Sequence, residues 1–157
     1  MPQPISLVIA DDHEIFRDGL ALMLSKQPYL TLLGQAEDGK ELLNLVQQHQ
    51  PDIVLTDIKM PRMDGIEATR NLKASNAQCK IIALSMYDEE NLIVDMLEAG
   101  AKGYLLKNAD KQEILDAIES VYHDKIFYCK HTTAKLATLI ATSRFNPYRK
   151  TEAISFT

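Results

Sequence analysis

A chain of 157 residues has room for one domain of ordinary size and a short extension, and 46% hydrophobic with 25% charged residues is the balance of a folded protein rather than a disordered one. Lys plus Arg number 17 against 22 Asp plus Glu, a formal charge of -5, so these residues repel a phosphate backbone and are not expected to bind nucleic acid directly. No apolar run reaches the roughly 18 residues that span a bilayer, and the opening MPQPISLVIADDHE has no basic leader, which makes the cytoplasm, without membrane contact, the expected location.

Ile5 to Ala10 is a run of strand length, followed by a stretch from about His13 to Lys26 in which Phe16, Leu20, Met23 and Leu24 recur at helical spacing. One of Asp11 and Asp12 is placed to cap that helix. A second run, Leu30 to Ala36, precedes a helix marked by Leu42, Leu43 and Val46. The third run, Ile53 to Thr56, leads through Met60-Pro61 to Asp64, which suits the cap of a helix from about Ile66 to Ser75, with Gly65 serving the tight approach. Ile81 to Leu84 is the fourth run, and Leu92, Ile93, Met96 and Leu97 mark the helix after it. Tyr104 to Leu106 is the fifth, followed by a helix carrying Ile114, Ala117, Ile118 and Val121, so the core is expected to end near His123. Beyond it, Thr132 or Thr133 is placed to cap a short helix with Leu136, Leu139 and Ile140, and SRFNPYRK reads as a linker.

Most of these runs are continuously apolar, as strands covered on both faces must be, and each is separated from the next by a helix. The pattern predicts an α/β fold: a five-stranded, doubly wound parallel sheet with helices on both faces, over residues 1–124, and an extension over 125–157. Cys79 and Cys129, fifty positions apart, fit buried thiols better than a redox pair. His13, His49, His123 and His131 lack metal-ligand spacing and read as surface or helix-end residues.

The chemistry lies in the residues that close the runs: Asp11 and Asp12 come after the first, Asp57 after the third, Ser85 after the fourth and Lys107 after the fifth. In an open parallel sheet all of these emerge at the carboxyl edge, where ligands bind. Clustered carboxylates repel one another unless a cation is present, and a hard divalent ion such as Mg2+ suits oxygen ligands while leaving room for a phosphoryl oxygen. Asp57, alone after its strand, is the candidate nucleophile; the adjacent Asp11 and Asp12 are better placed to hold the metal.

The strings LVIADDHEIFR, IVLTDIKMPRMDG, IIALSMYDEE and AKGYLLKN resemble the receiver domain of two-component response regulators, and in detail its NarL/FixJ branch, over about residues 5–123. The resemblance implies the flavodoxin-like, CheY-like strand order 2-1-3-4-5. It implies Asp57 as phosphoacceptor, with Mg2+ held by Asp57, Asp12, Asp11 and the backbone carbonyl of Lys59. Ser85 and Lys107 would bind phosphoryl oxygens, and Tyr104 would turn inward into space left by Ser85 as the conformational switch. A sensor histidine kinase is the implied donor, a phosphorylation-dependent homodimer the implied assembly, and DNA the target only through a helix-turn-helix domain outside these residues. Such a protein is not an enzyme but a phosphoacceptor that assists its own phosphorylation and dephosphorylation. Two positions depart from the common pattern: Asn108 stands where many receivers have Pro, so a trans bond is expected, and Met86 follows Ser85 where a small residue is common. Its bulk, flanked by Lys59 and Tyr87, is expected to hinder attacking water.

The alternatives are a stand-alone regulator acting by protein contacts and a haloacid-dehalogenase-like phosphatase. The latter wants a second Asp two positions beyond the nucleophile, where this chain has Lys59.

Overall fold

The structure is a computed structural model, and it describes residues 4–86, 89–130 and 132–143. Tyr87, His131 and the linker from residue 144 on lie outside the described residues, so expectations placed on them have no structural counterpart.

Strands β1 (Ile5–Ala10), β2 (Leu30–Ala36), β3 (Ile53–Asp57), β4 (Lys80–Ser85) and β5 (Gly103–Leu106) form one sheet in the order β2-β1-β3-β4-β5. Every pairing is parallel. The helices between them are α1 (Glu14–Ser25), α2 (Gly39–His49), α3 (Gly65–Ala74) and α4 (Glu90–Ala99), with α5 (Lys111–Tyr122) and α6 (Ala134–Thr142) after β5.

The inner strands are buried on both faces, and their side chains divide by alternation. Val8, Ala10, Val54, Ile81, Ala83 and Tyr104 point into one core with α2, α3, α4 and α6. Leu7, Ile9, Ile53, Leu55, Ile82, Leu84 and Leu105 point into the other with α1 and α5. This explains why the runs read as continuously apolar, and why β2, with exposed Thr31 and Gln35, does not: it is the edge strand.

The helix starts follow local hydrogen bonding. Asp38, Asp64, Asp110 and Thr133 each accept the backbone N–H three residues on, at 2.8–3.0 Å, as N-caps of α2, α3, α5 and α6. Helix α1 differs from expectation: its N-cap is His13, with no side-chain cap, and Asp11 Oδ1 instead accepts the His13 N–H at 2.8 Å. An Asp bonded to the N–H two residues on makes a local turn, which frees Asp12 for solvent and aims Asp11 back at the sheet edge.

The described part of the extension, as far as Ser143, is packed on the core. Phe127 pairs with the outer edge of β5, with Tyr104 N–H to Phe127 O at 3.0 Å and Phe127 N–H to Lys102 O at 3.1 Å. Gly103 permits that approach, since a Cβ there would lie 2.6 Å from the Phe127 carbonyl oxygen. Leu136 and Ile140 of α6 are buried in the same cluster as Ile93, Met96 and Leu97 of α4. Cys79 and Cys129 are both buried in this cluster. Among the described residues no helix is long and apolar enough to cross a membrane.

Candidate functional site

With β1 and β3 adjacent and the chain leaving them for opposite sides of the sheet, a crevice opens at their carboxyl ends. Asp11 follows β1 directly, held by its N–H to Ala36 O at 2.9 Å and by Arg17, whose guanidinium donates to the Asp11 carbonyl at 2.7 Å. Asp57 closes β3, one residue longer than the apolar run suggests. Its Oδ1 accepts the Ile58 N–H at 2.8 Å, which leaves Oδ2 facing the crevice. Beneath it, α3 starts so close to the loop that a Cβ on Gly65 would lie 2.3 Å from the Asp57 carbonyl oxygen; the glycine serves this contact rather than an unusual dihedral.

Lys107 arrives from the end of β5, its N–H bonded to Ser85 O at 2.9 Å. Its ammonium lies 2.8 Å from Asp11 Oδ2 and 3.1 Å from Asp57 Oδ2, over the Phe16 ring at 5.1 Å. Burial works against the charge on Lys107, but hydrogen bonding and attraction from Asp11 and Asp57 outweigh it, and its pKa is raised. For Asp57 the balance goes the other way: burial first, then the charge of Asp11, push its carboxyl up to about 6 despite Lys107 and the Ile58 N–H. A single ammonium does not compensate this much buried negative charge.

Carboxylate oxygens of Asp11, Asp12 and Asp57 and a ring nitrogen of His13 lie within 4.8 Å of one another, a set able to hold a metal ion. Ser85 is fully buried, and its Oγ finds no hydrogen-bond partner among the described residues; with His13, Phe16, Met86, Leu106, Lys107 and Asn108 it lines a cavity of about 430 Å³. A buried hydroxyl without a partner is costly, and a ligand oxygen in the crevice is what would satisfy it.

Of the residues the sequence marked at strand ends, Asp11, Asp12, Asp57 and Lys107 meet at one crevice, and Ser85 lines the adjoining cavity with Lys107; Tyr104, the expected switch, lies in the core beside α4 and α6. Tyr104 is 1% exposed and its hydroxyl bonds the Thr132 hydroxyl, so the ring is inside already, before any movement of Ser85. Burial raises its pKa to about 12. Lys59 is exposed, its ammonium 3.5 Å from Glu89, which in turn accepts the Met86 N–H at 2.8 Å. The Lys107–Asn108 bond is trans. His49 and His123 sit at helix ends as expected, whereas His13 does more than end a helix, and Arg17 was not singled out at all. The available signal for Arg17 was its spacing, one helical turn after His13 and so on the side facing the Asp11 loop.

Residues 7–119 match the family model described as the response regulator receiver domain. The chain belongs to that family. As a receiver it is 38% identical over 117 residues to the transcriptional regulatory protein DegU of Brevibacillus brevis, covering 74% of this chain and 50% of that one. The response regulator GacA of Pseudomonas viridiflava is 34% identical over 143 residues, 91% of this chain and 65% of that protein. The chain thus spans half to two thirds of the length of these curated relatives, 50% and 65%. Among solved structures, the signal receiver domain of the response regulator NarL from Mycobacterium tuberculosis superposes with a TM-score of 0.76 at 31% identity, covering 79% of this chain and all (100%) of that one. A LuxR-family two-component response regulator from Aurantimonas sp. SI85-9A1 gives a TM-score of 0.76 at 29% identity, over 88% of this chain and 96% of that one. The receiver fold, its strand order and the NarL-type likeness agree with the reading of the sequence.

Proposed function

We propose that this receiver accepts a phosphoryl group on Asp57 from a sensor histidine kinase and relays the change to a DNA-binding output domain outside these residues, controlling transcription. The observation that supports this most is the environment of Asp57: a buried carboxylate with one oxygen held by Ile58 and the other, Oδ2, bonded by Lys107, which also lines the cavity of the unpartnered Ser85 hydroxyl.

In this reading Asp57 Oδ2 forms the bond to phosphorus as the phosphorus–nitrogen bond to the kinase histidine breaks, and the departing imidazole keeps the bonding electrons and takes up a proton. Lys107 exchanges carboxylate for phosphoryl oxygen, and the Ser85 hydroxyl donates a hydrogen bond to another. Mg2+ is the proposed cofactor, with Asp11, Asp12, Asp57 and the Lys59 carbonyl as ligands. The fit rests on hard carboxylate oxygens of Asp11, Asp12 and Asp57 within 4.8 Å of one another, with the Asp57 pKa raised first by burial and then by the charge of Asp11 in spite of Lys107. When bound, the ion supplies neutralising charge to the phosphoryl oxygens. The chain acts on its own aspartate, assisting gain and loss of the phosphoryl group, rather than on a separate substrate.

Because the Tyr104 ring is already inside, the proposed switch is a change in what holds it. Movement of Ser85 is read by Tyr104 and, through its hydroxyl, by Thr132 and the extension. Self-association and release of the output domain are the proposed consequences.

Incubation with Mg2+ and a small-molecule phosphodonor is expected to add one phosphoryl mass by intact mass spectrometry, and Asp57→Asn to abolish it. Equal labelling of the mutant would overturn the assignment of Asp57.

A further inference from the structure

Arg17 breaks two local rules at once. It is the fourth residue of α1, in the first turn, where the helix dipole disfavours a positive charge. Its side chain is half-buried, yet among the described residues it has no ion pair, and its Nε is buried without a hydrogen-bond partner. An unpaired buried donor costs stability, so neither packing nor helix formation accounts for an arginine here.

The guanidinium holds backbone instead. Its Nη1 donates to the Asp11 carbonyl at 2.7 Å, six positions back along the chain. The other polar groups of Asp11 are bonded too: the N–H to Ala36 O at 2.9 Å, Oδ1 to the His13 N–H at 2.8 Å and Oδ2 to the Lys107 ammonium at 2.8 Å. Of these four contacts only that of Arg17 fixes the peptide unit between Asp11 and Asp12, because a carbonyl oxygen shares its plane with the next N–H and Cα. Asp12 itself is exposed, and its carboxylate accepts no hydrogen bond among the described residues, so where it stands depends on the peptide before it. Charge is not the means: the main influences on the Asp57 carboxyl are burial, Asp11, Lys107 and the Ile58 N–H, and Arg17 is not one of them.

We infer that Arg17 is a positioning residue of the acidic site: by pinning the Asp11–Asp12 peptide it presets the Asp12 carboxylate for the divalent ion, acting through the backbone rather than as a ligand. This rests on the Mg2+-assisted phosphorylation proposed above and adds a residue to it. A carboxylate already in place loses less freedom on binding, which is where the affinity comes from.

The test uses the full chain and Mg2+ itself. Arg17→Met removes every donor at similar length and is expected to weaken Mg2+ about tenfold in calorimetric titration, with a thermal transition close to the native one. Arg17→Lys, which keeps one charged donor, is expected to recover part of that affinity. In labelling by a small-molecule phosphodonor, the Mg2+ concentration at half the maximal rate is expected to rise about tenfold in Arg17→Met, while the rate at saturating Mg2+ stays near native. Unchanged affinity in Arg17→Met, or a lower saturating rate at an unchanged half-point, would overturn the role. So would losses of affinity that follow losses of melting temperature in both variants, which is what a merely structural arginine gives. If Asp12→Ala and Asp57→Asn both leave Mg2+ binding unchanged, the acidic site itself fails; if they abolish it and Arg17→Met does not weaken it, only the role of Arg17 is wrong.

Discussion

Ionising Asp57 works against the fold. In the unfolded chain its carboxyl titrates near the ordinary 3.8, whereas burial and Asp11 push it up to about 6 in the folded protein. The native state therefore binds the proton more tightly between those values, so this residue's contribution to stability is greatest below the lower one. It declines as pH rises through both and stays unfavourable above them. Asp57→Asn is accordingly expected to raise the unfolding free energy by on the order of 2 kcal/mol near neutral pH and by little at about pH 4, in urea melts; an equal gain at both pH values would show that charge is not the cause. Met86 makes a second prediction at this scale. It is 50% exposed and lines the same cavity as Ser85, a position from which its bulk would hinder attacking water. Met86→Ala is expected to shorten the phosphoryl lifetime severalfold; an unchanged dephosphorylation rate removes the steric explanation. The strand-end residues were legible in the sequence because a parallel sheet brings the carboxyl ends of its strands to one edge. The ring position of His13 was not: spacing along the chain does not say where a side chain turns when its nearest polar partner, Lys107, lies 94 positions away.

At the scale of the element, α6 is held by an apolar stripe and two hydrogen bonds ahead of it. Leu136 and Ile140 lie against α4, Thr132 bonds Tyr104, and the Lys130 N–H donates to Glu113 of α5 at 2.7 Å. Leu136→Ala removes a buried side chain, 3% exposed, and is expected to cost about 2–4 kcal/mol. Thr132→Val keeps the shape but leaves the buried Tyr104 hydroxyl without its partner, at an expected cost of about 1–3 kcal/mol in denaturant unfolding. Wild-type stability in both variants would mean that the extension is not docked in solution. The sequence marked α6 by its leucine spacing and offered two caps; Thr133 takes that role, and Thr132 is left for Tyr104. Local propensity did not separate two adjacent threonines, because only the distant tyrosine distinguishes them.

For the whole molecule, a boundary at residue 124 divides the chain by composition but not by packing. A chain ending there loses the Phe127 pairing on β5 and uncovers the α4 side of the core. Its melting temperature is expected to fall by about 5 °C or more in a thermal scan; an unchanged transition would establish the boundary as a true domain edge. Periodicity and turn chemistry by themselves determined the five strands, the helices between them and the amino acids at the sheet's carboxyl edge. Each of those signals is local: alternation, helical spacing and capping are set within a few residues. Tertiary structure alone decided that Asp57 is buried with too little positive charge, that Tyr104 is already inside on Thr132, and that the His13 nitrogen joins the carboxylates. Those are properties of side chains that meet only when distant elements pack, and their charges and hydrogen bonds act through space rather than along the chain.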